Sequence, residues 1–194
     1  MTNGPALAAA ILAGGRARRL GGLNKGTLTV GLTAIVDRQL EVLRAIANDV
    51  FVVGPDDPAW RTRHLRVVPD EMPGTGPLGG IYTAIRQSPC DRTLVVACDM
   101  PFLSGALLRR LAAVPDADLV IPRGAGGYEP LCAIYSRACA SDIHARLTRG
   151  EYTASTLPAG VRVAEISVGN DLTFVNVNTP HDYERAKGLN EWKP

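Results

Sequence analysis

The sequence predicts an α/β fold built on a mostly parallel sheet with helices on both faces. Three observations carry this expectation. Short apolar runs at residues 6–12, 50–53, 65–68 and 93–98 have strand length and little polar alternation, as strands covered on both faces require. Segments with helical apolar spacing lie between them, so strands and helices alternate through more than half of the chain. Glycine-rich or acidic stretches fall where several of these strands end, the edge at which parallel sheets place their ligand crevice.

The elements follow in order. The run at 6–12 is a buried strand that opens into a basic, glycine-rich loop; 27–30 is a brief extended piece. Residues 34–47 carry Ile35, Val36, Leu40, Leu43 and Ile46 at helical spacing. Val50-Phe-Val-Val53 is a strand closed by the turn cluster Gly54-Pro-Asp-Asp, and Leu65-Arg-Val-Val68 is a second, closed by Pro69. A glycine-rich loop over 70–80 leads into a helix from about Leu78 to Arg86. Thr93-Leu-Val-Val-Ala-Cys98 is the clearest buried strand, followed by Asp99 and a helix over 104–113. Residues 118–122 form a further strand, and 128–135 an extended run after the turn at 124–127. Ser136 caps a helix reaching Thr148, and 161–168 alternates as a half-exposed strand does. Residues 173–178 read as a strand, and Thr179-Pro180 as a cap with proline at the first helical position, opening a helix over 181–189.

A length of 194 residues suits one domain that buries about 70% of its unfolded surface without staples. With 46% apolar and 21% charged residues and a net charge of +2, the composition is ordinary for a globular protein and argues against a dedicated nucleic-acid or membrane-surface binder. Cys90, Cys98, Cys132 and Cys139 lack Cys-x-x-Cys spacing, so neither a zinc site nor a redox pair is suggested, and they fit core thiols in a reducing cytoplasm. The N-terminus lacks the basic start of a signal peptide, and the apolar run behind it is too short for a membrane span. His64, His144 and His181 are scattered without ligand spacing, and Trp60 and Trp192 read as packing residues.

Two stretches carry chemistry. Leu12-Ala-Gly-Gly-Arg-Ala-Arg-Arg-Leu-Gly-Gly-Leu-Asn-Lys25 holds four glycines and four cations, Arg16, Arg18, Arg19 and Lys25. Glycine lets main-chain N–H groups approach a polyphosphate closely, and the cations offset its charge. The loop is neither Gly-x-x-x-x-Gly-Lys-Ser/Thr nor Gly-x-Gly-x-x-Gly, since Lys25 follows Asn24 and precedes Gly26. Asp99, at the tip of the strand over 93–98, is either the cap of the next helix or a magnesium ligand. Magnesium is commonly held by one or two carboxylates plus substrate phosphates, which is what an acidic strand end opposite a cationic loop offers.

So assembled, the chain resembles the bacterial molybdenum cofactor guanylyltransferases, within the wider group of Rossmann-like nucleotidyltransferases. The resemblance spans nearly the whole chain. It rests on Leu12-Ala-Gly-Gly with Arg19, Gly21 and Lys25; on Gly76-Pro-Leu-Gly-Gly80 after Asp70; on Cys98-Asp-Met-Pro101; on Glu129-Pro-Leu-Cys-Ala-Ile-Tyr135; and on Phe174-Val-Asn-Val-Asn-Thr-Pro180.

The resemblance implies a three-layer fold, with a nucleotide-binding half over about 1–103 and an acceptor-binding half over about 104–194 of one domain. It implies transfer of GMP from GTP to the phosphate of molybdopterin, with release of pyrophosphate. Lys25, Arg19 and Asp99 would be catalytic, Asp99 holding Mg2+. Leu12, Ala13, Gly14, Gly15, Asp70, Gly76 and Gly79 would bind the nucleotide with Lys25 and Asp99, and Asn176 and Asn178 the acceptor. Tyr128 and Glu129 are further candidates for the acceptor pocket or for a strand start, and where the family has an arginine-rich patch after the Gly150 turn this chain reads Glu151-Tyr-Thr-Ala, with Arg146 and Arg149 near it. Transient contacts with cofactor-synthesis or acceptor proteins would follow, with no nucleic acid or membrane partner. The chain departs from the family pattern at Asn24, at Gly31-Leu-Thr-Ala-Ile, and at Val53 and Gly54, where no asparagine follows the second strand. The alternatives are a relative using CTP or a sugar phosphate, or a non-catalytic nucleotide-binding partner protein.

Overall fold

A computed structural model describes residues 6–14, 25–169 and 172–189. The strands are β1 (Leu7–Leu12), β2 (Thr29–Val30), β3 (Thr33–Ala34), β4 (Asp49–Val53), β5 (Arg66–Val68), β6 (Arg92–Ala97), β7 (Leu119–Gly124), β8 (Gly127–Tyr128), β9 (Cys132–Ser136) and β10 (Val163–Ser167). The helices are α1 (Ile35–Arg44), α2 (Pro58–Arg61), α3 (Pro77–Gln87), α4 (Gly105–Ala112), α5 (Ala140–Thr148) and α6 (Pro180–Gly188).

The main sheet runs β10-β7-β9-β6-β1-β4-β5, with β8 paired to β7, while β2 and β3 form a separate hairpin. Strands β5, β4, β1 and β6 are mutually parallel, as are β7 and β10; β9 runs antiparallel between β6 and β7. The expected mostly parallel α/β architecture is therefore observed. Alternate residues of β1 divide the core, because successive side chains of a strand point to opposite faces. Leu7, Ala9 and Ile11 pack with α1, α2 and α4, including the fully buried Trp60, whereas Ala8, Ala10 and Leu12 pack with α3 and α5. A third cluster, Val30, Ile35, Phe102, Val177 and Ala186, fastens α6 to the β2–β3 hairpin, helped by the Tyr183 hydroxyl donating to Thr29 O at 2.7 Å.

Two expectations are corrected and two readings are refined. Residues 173–178 are not a strand: a 3-10 turn over Leu172–Phe174 precedes an extended segment whose amides bond elsewhere, Val175 N to Leu172 O at 3.0 Å and Val177 N to Asp99 O at 2.9 Å. Its alternation, with Val177 buried and Asn176 and Asn178 exposed, reflects packing on the third cluster rather than a ladder. The run at 128–135 is broken between β8 and β9, where Glu129 N donates to Pro122 O (3.0 Å), Cys132 N closes back on Glu129 O (3.1 Å), and Pro130 has no N–H to offer. Residues 54–57 do turn, but α2 follows, with Asp57 Oδ1 accepting from Ala59 N at 2.8 Å ahead of Pro58. Ser136 caps a 3-10 turn over Arg137–Cys139 that runs directly into α5.

Cys98, Cys132 and Cys139 are buried and Cys90 is half-buried, all as free thiols, and burial pushes the Cys139 thiol up to about 12. No helix among the described residues is long and apolar enough to cross a membrane. At the β7–β10 edge, Asp118 accepts from the Arg162 amide (2.9 Å) and from its guanidinium (3.1 and 3.2 Å). These contacts hold the Asp118 carboxyl below its ordinary value of 3.8. A depressed carboxylate contributes stability above its unfolded pKa that is lost as pH falls through the folded one. Melting temperatures of Asp118→Asn are therefore expected to fall less steeply than those of the parent between about pH 5 and pH 2; parallel curves would rule out this contribution.

Candidate active site

The parallel strands deliver their loops to one place. Leu12 lies in register with both Val53 and Ala97, and Val53 with Val68, so β1, β4, β5 and β6 end along one line. Main-chain bonds then stitch the emerging loops: Ala13 N to Val53 O (2.9 Å), Gly54 N to Val68 O (2.9 Å) and Cys98 N to Leu12 O (3.1 Å). Because Leu12 O and Ala13 N serve these bonds, the main chain open to a ligand begins at the Ala13 carbonyl and the Gly14 amide. The glycine after β4 has a local cause: a Cβ on Gly54 would lie 3.0 Å from the Ala13 carbonyl carbon, so a side chain there would displace the loop.

Asp99 stands one residue past the β6–β1 bond and is half-buried. It does not cap α4; that role belongs to Ser104, whose Oγ accepts from Leu107 N at 3.3 Å. The turn carrying Asp99 is gripped from two sides. The fully buried Gln39 of α1 donates from Nε2 to Ala97 O (2.7 Å) and Met100 O (3.1 Å), and Val177 N donates to Asp99 O. Through this last bond Asn176 and Asn178, both exposed, flank the Asp99 turn. The described residues contain no group of three or more His, Cys, Asp or Glu that could hold a metal. A single half-buried carboxylate suits a hard cation such as Mg2+, which completes its shell with phosphate oxygens and water.

The second loop is built around Asp70. Its Oδ1 accepts from Met72 N (3.0 Å) and from the buried Thr83 hydroxyl (2.9 Å), tying the loop to α3. Gly76, the residue before α3, has φ 70° and ψ −156°, a conformation open to glycine, and Pro77 takes the first helical position. Gly79 is buried and faces the loop itself: a Cβ there would meet Met72 O at 2.7 Å. Gly80 lets α3 approach Leu12, whose Cδ1 would lie 3.1 Å from an added Cβ. An open cleft of about 520 Å³ beside the ends of β4 and β5 is lined by Gly54, Asp56, Arg61, Val67 and Pro69.

Gly15, Arg16, Arg18, Arg19 and Asn24 lie outside the described residues, and Lys25 opens a 3-10 turn over Lys25–Thr27 leading to β2. Of the acceptor-side candidates, the Tyr128 hydroxyl donates to Glu165 Oε1 (2.6 Å), which also accepts from Arg123 through Oε2 (3.2 Å). Glu129 is half-buried, and burial raises its carboxyl above the ordinary range. Arg146 and Arg149 are engaged elsewhere: the buried Arg146 guanidinium braces the main chain at Thr153 and Thr156, and Arg149 pairs with Glu151 at 2.9 Å. Gln39 and the buried Arg38, which braces the hairpin at Val30 O, were not evident as site residues from motifs. Gln39 had a signal: its neighbours three and four positions away, Ile35, Val36, Val42 and Leu43, are all apolar.

Residues 9–161 match the family of the MobA-like NTP transferase domain. A probable molybdenum cofactor guanylyltransferase of Pelotomaculum thermopropionicum is 36% identical, covering 93% of this chain and 92% of the relative. One of Methanothermobacter thermautotrophicus is 35% identical, covering 89% and 95%. Bacterial and archaeal proteins thus both resemble the chain, and the likeness is broader than the bacterial group its motifs suggest. In fold, it is similar to molybdopterin-guanine dinucleotide biosynthesis protein A of Archaeoglobus fulgidus, with TM-score 0.75, 24% identity and coverage of 94% and 97%.

Proposed function

Because the chain belongs to the MobA-like NTP transferase family, we propose that its crevice transfers GMP from GTP to the phosphate of molybdopterin. One observation carries the reading: the Gly14 loop, the Asp99 turn and the 176–178 segment converge through Cys98 N–Leu12 O and Val177 N–Asp99 O. These are the three parts such a transfer needs, a phosphate cradle, an anionic metal ligand and an acceptor-side wall.

A phosphate oxygen of the acceptor forms a bond to the α-phosphorus of GTP as the bond to the bridging oxygen of pyrophosphate breaks. Such a step asks for positioning and charge stabilisation more than covalent help. The Ala13 carbonyl and Gly14 amide orient the nucleotide; Gly15 is a further nucleotide-binding residue, and Arg19 and Lys25 offset phosphate charge. Asp70 and the Gly76 turn hold the nucleoside side, while Gly79 shapes that turn from behind. Asp99 would hold Mg2+, which when bound neutralises phosphate oxygens and the leaving pyrophosphate. Asn176 and Asn178 present amides to the acceptor. The nucleotide half spans about 1–103 and the acceptor half about 104–194, and four free cysteines fit a reducing cytoplasm, where we place the reaction. Delivery of the product calls for transient contact with proteins of cofactor synthesis or use.

The test is to supply the purified protein with molybdopterin, Mg2+ and each nucleoside triphosphate in turn, and to follow dinucleotide and pyrophosphate. GTP is expected to be the preferred donor. Preference for CTP, or turnover only with a sugar phosphate, would overturn the guanylyl reading; GTP binding without turnover would favour a binding protein.

A further inference from the structure

We infer that Gln39 is a positioning residue that sets the Asp99 carboxylate for the divalent cation bound with the nucleotide. The inference rests on Asp99 being the metal ligand, as proposed above.

Gln39 projects from the buried face of α1, fully inaccessible, among Ile35, Val36, Val42 and Leu43. Its amide nitrogen reaches 58 and 61 residues along the chain to the carbonyls of Ala97 and Met100 at 2.7 and 3.1 Å. Those two carbonyls bracket the Asp99 turn, so the amide fixes the backbone on both sides of the carboxylate. Both bonds require N–H donors, which settles the orientation of the amide.

Packing gives no reason for an amide here. An apolar side chain of the same length would fill the site but leave the Ala97 and Met100 carbonyls without these donors, whereas Gln39 Oε1 is itself buried with no hydrogen-bond partner among the described residues. A residue that leaves its acceptor unmatched while both donor hydrogens are directed to the turn is placed for its donors. It also sits on the helix that follows the Lys25 turn and hairpin, whose junction is closed by Ile35 N to Leu28 O at 2.9 Å. Helix α1 therefore links the phosphate-side loop to the metal-side turn, with Gln39 as the contact.

Gln39→Met keeps length and approximate volume but removes the donors. With GTP saturating, Mn2+ affinity measured by electron paramagnetic resonance is expected to weaken about tenfold or more, the range found when residues that orient metal ligands are changed. The KM for GTP at saturating metal should change less than the metal affinity. Leu40→Ala on the same helix serves as the packing control: it should lower the melting temperature yet leave Mn2+ affinity near that of the parent. Mn2+ binding by Gln39→Met equal to the parent's, or equal weakening in Leu40→Ala, overturns the inference. Asp99→Asn run alongside separates the two readings. If it weakens Mn2+ binding while Gln39→Met does not, Gln39 alone is misassigned; if it also binds like the parent, Asp99 is not the ligand and both fall.

A measurement on the unaltered protein covers the case in which the variant does not fold. The chain has two glutamines, Gln39 and the exposed Gln87, so selective 15N-glutamine labelling gives two side-chain amide signals. Titrating Mg2+ into the GTP complex should move the Gln39 signal with the midpoint that activates turnover, and leave Gln87 in place. A stationary Gln39 signal overturns the inference.

Discussion

Asp99→Asn is expected to lower kcat/KM for GTP by about a hundred- to a thousandfold, the loss seen when one preorganised charge-stabilising group is removed from a transition state. Asparagine preserves the shape of the side chain and removes its charge, so what is lost is the ligand strength toward a divalent cation and, with it, neutralisation of phosphate charge. The fold should feel the change little. Ser104, not Asp99, caps α4, and the backbone of the turn is held by Gln39 and Val177. A stability change below about 1 kcal/mol is therefore expected, as for a substitution that keeps the side chain's shape and removes no helix cap. Raising Mn2+ or Mg2+ should recover part of the rate, because weakened metal binding is offset by mass action. Turnover that keeps both its magnitude and its magnesium dependence would remove Asp99 from the metal site.

The sequence showed the sheet more fully than the site, for physical reasons. Leu7–Leu12, Arg92–Ala97 and Asp49–Val53 are buried on both faces, so continuous apolar runs identify them without knowledge of their partners. Strand β9 reads the same way but runs antiparallel, since direction depends on the connection and not on composition. Residues 173–178 alternate like a strand, and the alternation is real, yet the amide of Val177 goes to Asp99 O; side-chain pattern does not say where backbone bonds go. That bond also brings the asparagine segment to the acidic turn from nearly eighty positions away, a proximity no local pattern contains. Asp99 was ambiguous in the sequence between cap and ligand, and the position of Ser104 removes the first reading. Arg146 illustrates the reverse. It lies near a basic turn in sequence, but its guanidinium is buried and bound to main-chain carbonyls, which no spacing would disclose.

Gly79→Ala is expected to have the second large effect, lowering stability by about 1–3 kcal/mol, the usual cost of forcing added volume into a packed site. Alanine suits a helix better than glycine, so propensity alone predicts a gain of up to about 1 kcal/mol. The surroundings reverse the sign. An added Cβ would lie 2.1 Å from Thr75 Oγ1 and 2.7 Å from Met72 O. The threonine hydroxyl can rotate away; the carbonyl cannot move without carrying the turn, because Thr75 Oγ1 and Thr75 N both close on it. Displacing that turn pulls on Met72 N and hence on Asp70, which is proposed to hold the nucleoside, so the KM for GTP should rise by about tenfold, equivalent to roughly 1.4 kcal/mol. Adding Thr75→Ala should not rescue the variant, since the clash with Met72 O remains. Gly126→Ala provides the contrast: a Cβ there meets nothing within 4 Å, and its melting temperature and KM should stay at parental values. If Gly79→Ala instead raises the melting temperature and leaves KM unchanged, the packing of the loop against α3 is looser than these contacts require, and helix propensity governs the position.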